Sequence, residues 1–204
     1  MPTRRIMVTR MATITSRTRT TGASIYRSIP NLLTIARLGL APLIFWAITS
    51  GRHPLALILF ACAALTDGLD GMLARRFGQT TALGAYLDPI ADKILLSGVY
   101  LSLALAGSVP WWLVIVIFGR DVFLLASSGV ALLFTEFRQF RPSIWGKTST
   151  FIQIVCATAW MAQNAANSTL LHAAAQALVW PAAAATVWSG LHYGWRGLRF
   201  VRAH

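Results

Sequence analysis

Charged residues are scarce in this sequence, and acidic residues are the scarcest of them. Only 12% of the 204 residues are charged, 56% are hydrophobic, and six Asp and Glu stand against 18 Lys and Arg. Soluble domains carry about 25% charged residues, so the composition argues against a water-soluble enzyme and equally against a disordered chain. The positive excess accompanies extended apolar stretches, which favours a membrane protein that attracts anionic lipid over a nucleic-acid-binding protein.

Cysteine is almost absent. Cys62 and Cys156 are the only two, and each lies within an apolar stretch. A disulfide framework or a cysteine metal site needs more cysteines at characteristic spacings. Both residues are therefore predicted to be small buried side chains.

The first 28 residues differ from the rest of the chain. They contain six arginines, many Ser and Thr, and no acidic residue. No apolar core of the length found in secretory signals occurs there. We expect a disordered basic tail over 1–28 that lies on anionic lipid, with an organellar transit peptide as the alternative. Residues 29–204 are expected to form one membrane domain.

Six apolar segments follow this tail. Each spans about 18–25 residues, which is enough for a helix to cross a ~30 Å hydrocarbon core. The sequence predicts an all-α integral membrane protein with six transmembrane helices, of which the fifth is the least apolar because its start is polar. The segments are 31–49, 54–74, 83–106, 110–134, 147–164 and 170–193.

Basic residues alternate between the connections. The basic parts of the chain are the N-terminal tail, the connections at 75–81 and 135–146, and the chain after 194. The other connections, at 50–53, 107–109 and 165–169, contain a single Lys or Arg residue, Arg52. Because basic loops stay on the cytoplasmic side, both termini are predicted to be cytoplasmic. The membrane would be the bacterial inner membrane, or the mitochondrial inner membrane if the tail is a transit peptide.

Four of the six acidic residues lie within 26 positions, at the predicted cytoplasmic ends of the second and third segments. They are Asp67, Asp70, Asp88 and Asp92. Spacings of three and four residues put each pair on one helix face, and a short connection makes the two helices antiparallel neighbours. The pairs then converge near the cytoplasmic face. Each buried carboxylate costs about 2.5–3.5 kcal/mol, so something must offset this cost.

Carboxylates without His or Cys suit a hard divalent cation, and two such ions would serve phosphoryl transfer. We predict that the four aspartates bind two Mg²⁺ or Mn²⁺ ions, and that Gly71, Ala74 and Gly84 leave space for a ligand. For a single aspartate, helix packing or an ion pair is the alternative, with Arg75 or Lys93 as the partner.

The acidic segment resembles the signature of the CDP-alcohol phosphotransferases, which reads D-x-x-D-G-x-x-A-R, a spacer, and G-x-x-x-D-x-x-x-D. Every fixed position is present, and the similarity extends over about 29–194. The matching stretches are Asp67-Gly-Leu-Asp70-Gly71-Met-Leu-Ala74-Arg75 and Gly84-Ala-Tyr-Leu-Asp88-Pro-Ile-Ala-Asp92. In addition, Ile29-Pro30-Asn31-Leu-Leu-Thr34-Ile-Ala-Arg37 resembles the first helix of the glycerophospholipid branch.

The resemblance implies that CDP-diacylglycerol gives a phosphatidyl group to an acceptor hydroxyl and releases CMP. It assigns Asp67, Asp70 and Asp88 to metal binding, and Asp92 both to the metals and to accepting the hydroxyl proton. It places the CDP-lipid beside Asn31, Thr34, Gly71, Ala74, Arg75, Thr81 and Gly84. The family includes homodimers, although no residue pattern here requires one.

Cations further along the chain predict an acceptor that itself carries phosphate. Arg120, Arg141 and Lys147 would form a cationic pocket facing the acidic site. Equally, Arg120 could pair with Asp121, and Lys147 could extend to the interface.

Two acceptors remain open within the family. The stretches 118–125 and 141–153 and the triplet His192-Tyr193-Gly194 resemble the members that make cardiolipin from phosphatidylglycerol, which is the favoured acceptor. Glycerol 3-phosphate is the alternative, although members that use it usually have Arg-Glu where this chain has Arg120-Asp121. A cation or proton transporter is the alternative from another class, since it too places acids between helices.

Overall fold

The computed structural model describes residues 34–77, 82–134 and 144–202, with the side chains of 34–66, 90–127 and 144–195. Regular structure in these ranges is helical throughout, without strands, so the predicted all-α architecture of six helices is confirmed. The helices are α1 (34–49), α2 (His53–Phe77), α3 (Ala82–Leu105), α4 (Trp111–Phe134), α5 (Ile144–Ala166) and α6 (Thr169–Arg202). The predicted tail, 1–28, lies outside the described residues.

The largest departure from the predicted boundaries is at the end of α6. The apolar segment was expected to end at 193, but the helix continues to Arg202. No proline follows Pro181 within this helix, and hydropathy alone cannot locate the end of a helix that leaves its apolar surroundings without a stop residue.

Tight turns join the helices at the three connections that carry little charge. Gly51 and Gly107 have φ values of +72° and +73°, which a side chain would disfavour, and Asn167 has a φ of 48°. In both glycine turns, the next amide donates to the carbonyl five residues back, at 2.8 and 2.9 Å. This pattern closes a helix in the Schellman manner. Asn164 Nδ2 also donates to Ser108 Oγ (2.7 Å), so the end of α5 meets the α3–α4 turn.

The core lies where one face of each helix meets its neighbours. On α1 the buried positions are 34, 37, 41, 44, 47 and 48, and their spacing of mostly three and four residues marks a single helix face. α5 packs along α6; α4 also contacts α6, while α2 and α3 contact α5. The α5–α6 contact uses small side chains, among them Ala157, Ala182 and Ala183, which let two helices approach closely.

The polar start of α5 is helical, and several of its polar groups find partners. The Thr148 and Thr150 hydroxyls donate to the carbonyls of Ile144 and Gly146, at 3.1 and 3.2 Å. Gln153 is fully buried, and its Nε2 donates to Thr186 Oγ1 of α6 (2.8 Å). The polarity that weakened the sequence prediction for this helix therefore serves the α5–α6 contact.

Large apolar side chains lie exposed on the outside of all six helices; Leu170 and Trp180, for example, are 78% and 72% exposed. Large exposed apolar patches mark surfaces that contact a membrane or another protein. Among the side chains described, one stretch, Thr169–Trp195, is long and apolar enough to cross a membrane by length and composition. Thr34–Thr49 and His53–Thr66 are shorter apolar helices. Six membrane spans remain a prediction.

The prediction that both cysteines are buried is correct for Cys156 and wrong for Cys62. Cys156 is fully buried in α5 and Cys62 is exposed on α2, and neither forms a disulfide. Cys62 lies between the buried residues Phe60 and Ala63, but on the outer side of the helix. An apolar stretch by itself does not tell which side of a helix faces the bundle.

We expect Ala182→Leu to destabilise the protein by about 1–3 kcal/mol, because a larger side chain would overfill the α5–α6 contact. Ala184→Leu is the matched control, since Ala184 is exposed on the same helix and has room for the added carbons. Thermal unfolding in detergent would measure both. Equal melting temperatures for the two variants would contradict close packing at this contact.

Candidate active site

The four predicted metal ligands occupy two successive helices. Asp67 and Asp70 lie in α2, and Asp88 and Asp92 lie in α3. Both pairs lie in helices, so their spacing of three and four residues puts the two positions of each pair on one helix face. Of the four side chains, only that of Asp92 is described, so convergence of all four remains a prediction. Also outside the described side chains are Asn31, Gly71, Ala74, Arg75, Thr81, Gly84 and Arg141.

Asp92 pairs with a buried arginine from the first helix. Arg37 Nη1 donates to Asp92 Oδ1 at 2.8 Å, and the arginine side chain is 4% exposed while that of Asp92 is 46% exposed. Thr34, one turn earlier on the same face of α1, is also buried. α1 thus brings a predicted CDP-lipid residue and a cation to the helix that carries Asp92.

The sequence analysis assigned no function to Arg37, the last residue of the first-helix motif. The pattern that identifies it is its position on the buried stripe of α1, three residues after Thr34. A guanidinium on a buried helix face is costly unless an opposite charge meets it, and the acids available in this sequence are few.

A second group of charges links α3, α4 and α6. Asp121 Oδ1 accepts from Lys93 Nζ (2.5 Å) and from Arg120 Nη1 (2.8 Å). Arg120 Nη2 also donates to Ser189 Oγ (3.0 Å). We call Lys93, Asp121, Arg120 and Ser189 the Asp121 cluster. The ion pair between Arg120 and Asp121, one of the two alternatives left open by the sequence, is present. Lys93 also forms an ion pair, but with Asp121 and not with an acid of the motif.

The Asp121 cluster lies beside Asp92, because Lys93 is the next residue on α3. Ser189 is a member that sequence reasoning missed. It is a fully buried serine on α6, and a single serine in an apolar helix has no distinguishing pattern.

Arg120 is the most enclosed cation of this cluster. Its side chain is 6% exposed, and its Nε has no hydrogen-bond partner among the described residues. Gly146 of α5 passes close by, because a Cβ placed there would lie 3.6 Å from Arg120 Nη2 and 3.0 Å from the Tyr193 hydroxyl. The absence of a side chain at Gly146 therefore lets α5 approach both groups.

Lys147 is exposed at the start of α5, whereas its neighbour Gly146 faces Arg120. The structure brings Arg120 to a buried position but leaves Lys147 on the outside of its helix. Their predicted common pocket thus remains a proposal, as does the part assigned to Arg141.

A groove runs between α4 and α6 beside Arg120. Its volume is about 830 Å³, within the ~300–1,000 Å³ common for ligand sites. From α4 it is lined by Ile115, Val116, Gly119, Arg120 and Phe123. From α6 it is lined by Thr186, Val187, Trp188, Gly190, Leu191, His192, Gly194 and Trp195. His192, the first residue of the triplet His192-Tyr193-Gly194, therefore lies on this groove.

Among the described side chains, no group of three His, Cys, Asp or Glu is placed to hold a metal ion. The acidic motif falls mostly outside that set, so its fit to a metal rests on the donor chemistry. Four carboxylates without nitrogen or sulfur ligands match the preference of Mg²⁺ and Mn²⁺.

Comparison with known proteins gives consistent matches. Residues 27–188 match the family model for CDP-alcohol phosphatidyltransferase. A probable phosphatidylglycerophosphate synthase of Mycobacterium tuberculosis is 34% identical over 183 residues, covering 85% of this chain and 83% of that protein. Cardiolipin synthase (CMP-forming) of Homo sapiens is 33% identical over 202 residues, covering 86% and 64%. CDP-diacylglycerol–glycerol-3-phosphate 3-phosphatidyltransferase of Bacillus subtilis is 30% identical over 191 residues, covering 84% and 97%.

We expect Asp121→Asn to destabilise the protein by about 3–5 kcal/mol, the usual cost of leaving buried charge without its partner. Two cations, Lys93 and Arg120, lose their counter-charge in this variant. Lys93→Met is the comparison, because Asp121 keeps its bond to Arg120 there. Melting temperatures in detergent that fall more for Lys93→Met than for Asp121→Asn would contradict the central position of Asp121.

Proposed function

The chain belongs to the CDP-alcohol phosphatidyltransferase family, and from this premise we propose that it transfers a phosphatidyl group from CDP-diacylglycerol to phosphatidylglycerol, with release of CMP. The observation that carries the choice of acceptor is the buried cation of Arg120 at the edge of an apolar groove. A phosphate-bearing lipid presents an anionic group and hydrocarbon together, which this combination suits.

The donor is proposed to lie between α1, α2 and α3. Arg75 would bind phosphate oxygens through its planar fork, with Asn31, Thr34, Gly71, Ala74, Thr81 and Gly84 around the CDP portion. Asp67, Asp70, Asp88 and Asp92 would hold two divalent cations, which when bound stabilise the negative charge that builds up on the transferred phosphoryl group.

Proton removal from the acceptor is assigned to Asp92. The acceptor oxygen bonds to the phosphatidyl phosphorus, the bond from that phosphorus to CMP breaks, and the hydroxyl proton passes to the carboxylate. The bond from Arg37 fixes the orientation of this carboxylate. α1 therefore contributes to the reaction by positioning Asp92, beyond its contacts with the donor.

The acceptor phosphate is assigned to Arg120, with Arg141 and Lys147 as further cations. Ser189 and Asp121 hold the guanidinium of Arg120 in place, so little side-chain freedom is lost on binding. A fixed guanidinium binds phosphate with defined direction, whereas an exposed lysine such as Lys147 supplies charge without it.

Glycerol 3-phosphate is the second candidate acceptor. Relatives from Mycobacterium tuberculosis and Bacillus subtilis, whose names specify phosphatidylglycerophosphate synthesis or glycerol 3-phosphate, support it at similar identity. It needs the same cations but makes no use of an apolar groove. The transporter alternative has no support from any of these matches.

We also propose that all six helices cross a membrane, with the active site and both termini on the cytoplasmic side. The exposed apolar side chains on all six helices support this placement. The alternation of basic and nearly uncharged connections supports the orientation. A homodimer is compatible with this arrangement.

Product analysis would decide between the acceptors. Purified protein with CDP-diacylglycerol and Mg²⁺ should convert phosphatidylglycerol to cardiolipin and release CMP, and should give at least ten-fold less product with glycerol 3-phosphate. Thin-layer separation of the lipids from parallel reactions measures both. Phosphatidylglycerophosphate as the main product would replace the proposed acceptor by the second candidate, and an absence of CMP release with either would contradict the proposed activity.

Removal of divalent cations should stop CMP release, and added Mg²⁺ or Mn²⁺ should restore it. Asp70→Asn should lower turnover by about two orders of magnitude or more, because one metal ligand loses its charge. Glu136→Gln, a change at an acid outside the motif, is the matched control and should retain turnover. An Asp70→Asn variant with normal turnover and unchanged Mg²⁺ dependence would contradict the metal assignment.

A further inference from the structure

The turn of α3 that carries Asp92 has little apolar packing to hold it. Of residues 90–94, Ala91 alone is buried, and its side chain is a single methyl group. Further along the helix, by contrast, Tyr100 is fully buried, and its hydroxyl donates to the backbone carbonyl of Gln153 on α5 at 2.8 Å. Packing fixes the later turns of α3, which leaves polar contacts to orient the turn that holds Asp92.

Ion pairs in two directions hold this turn. Asp92 accepts from Arg37 of α1, and Lys93 donates to Asp121 of α4. Successive residues of an α-helix point about 100° apart, since one turn takes about 3.6 residues. A rotation of α3 about its axis therefore stretches at least one of the two bonds. With only one bond present, the side chains that form it could follow the rotation.

The α4 end of the Lys93 contact is well anchored. Asp121 is buried, and the Arg120 side chain that bonds to it is itself held by Ser189 of α6. The Lys93 side chain is longer and 31% exposed, but its ammonium group reaches a carboxylate that is already held in place. The contact can thus limit how far α3 rotates.

A small rotation of α3 would displace the carboxylate of Asp92. An α-helix with its side chains has a radius of about 5–6 Å, so a rotation of about 10° moves a side-chain end by about 1 Å. A misplacement of about 1 Å can cost about 10²-fold in rate. The cations assigned to the acceptor phosphate lie outside α3, so acceptor binding should respond far less than turnover.

We infer that Lys93 is a positioning residue, which through its bond to Asp121 fixes the rotation of α3 and so holds the Asp92 carboxylate where it can accept the acceptor's proton. The inference rests on the proposed function, which makes Asp92 the proton acceptor. It gives Lys93 no contact with substrate. It also gives the Asp121 cluster a part in the reaction beyond holding Arg120.

The orientation of α3 can be measured without turnover. Nitroxides are attached at Ile90→Cys on α3 and Val122→Cys on α4, which are 49% and 62% exposed. The chain also carries Cys62→Ser, because Cys62 is exposed whereas Cys156 is buried. Electron paramagnetic resonance of the reconstituted full-length protein gives the distribution of distances between the labels. Lys93→Met should broaden or shift this distribution, and Lys93→Arg, which keeps the charge, should not.

Turnover should change in the same variants. With CDP-diacylglycerol and Mg²⁺ saturating, Lys93→Met should lower kcat by about ten-fold or more, because the carboxylate of Asp92 is displaced. The KM for phosphatidylglycerol should stay within about two-fold, and Lys93→Arg should keep kcat within about three-fold. Should Lys93→Met fold poorly, Lys93→Gln removes the same charge and carries the same expectation.

Tyr100→Phe is the matched control on the same helix. It removes one hydrogen bond between α3 and α5, in the part of α3 that packing already holds. Its kcat and its label distances should match those of the unaltered chain, even where its melting temperature is lower. An equal loss of kcat in Tyr100→Phe would mean that any loosening of α3 slows transfer, which would overturn the assignment to Lys93.

Three further results would overturn the inference. Unchanged label distances in Lys93→Met would show that the bond does not fix α3, whatever happens to kcat. Altered distances with normal kcat would make the ion pair purely structural, and a raised KM for phosphatidylglycerol with normal kcat would make Lys93 a substrate ligand. If the unaltered chain releases no CMP with either acceptor, the proposed function fails instead, and the label distances still decide whether Lys93 holds α3.

Discussion

Charge inside an apolar helical bundle has to meet opposite charge, and this requirement shapes the molecule more than any other. Asp121 shows how it is met, since one carboxylate oxygen accepts from cations on two helices. Removing either ion from water costs several kcal/mol, which a close partner repays only with good geometry. Arg120 and Asp121 are neighbours on α4, whereas the Lys93–Asp121 pair joins α3 to α4 and the hydrogen bond from Arg120 to Ser189 joins α4 to α6.

A similar pairing joins α1 to α3 through Arg37 and Asp92. The two groups of charges meet at adjacent residues of α3, so this helix connects the proposed donor side with the proposed acceptor side. The proposed transfer needs a fixed distance between the phosphatidyl phosphorus of the donor and the hydroxyl of the acceptor. A helix held on both sides by ion pairs provides that fixed geometry, because neither side can shift without separating paired charges.

The six helices and the positions of the four aspartates followed from the sequence, because apolar length and three- and four-residue spacing are local properties. What did not follow was any feature that depends on which helix faces which. Asp121 was a known charge with an open choice of partner, Arg37 was passed over, and Cys62 was placed on the wrong side of its helix. Arg120 was singled out because an isolated cation in an apolar segment is rare, but the groove beside it depends on glycines of α4 and α6 that are far apart in the chain.

The bond between Arg37 and Asp92 spans 55 residues of sequence, and this separation has a consequence for biosynthesis. A ribosome that adds about 5–20 residues per second adds Asp92 roughly 3–11 s after Arg37. During that interval the guanidinium lacks its bond to Asp92, and a charged side chain costs about 2.5–3.5 kcal/mol if it lies at the centre of a bilayer. If α1 spans a membrane, as proposed, we expect it to stay near the insertion machinery, or shallow in the membrane, until α3 has been made.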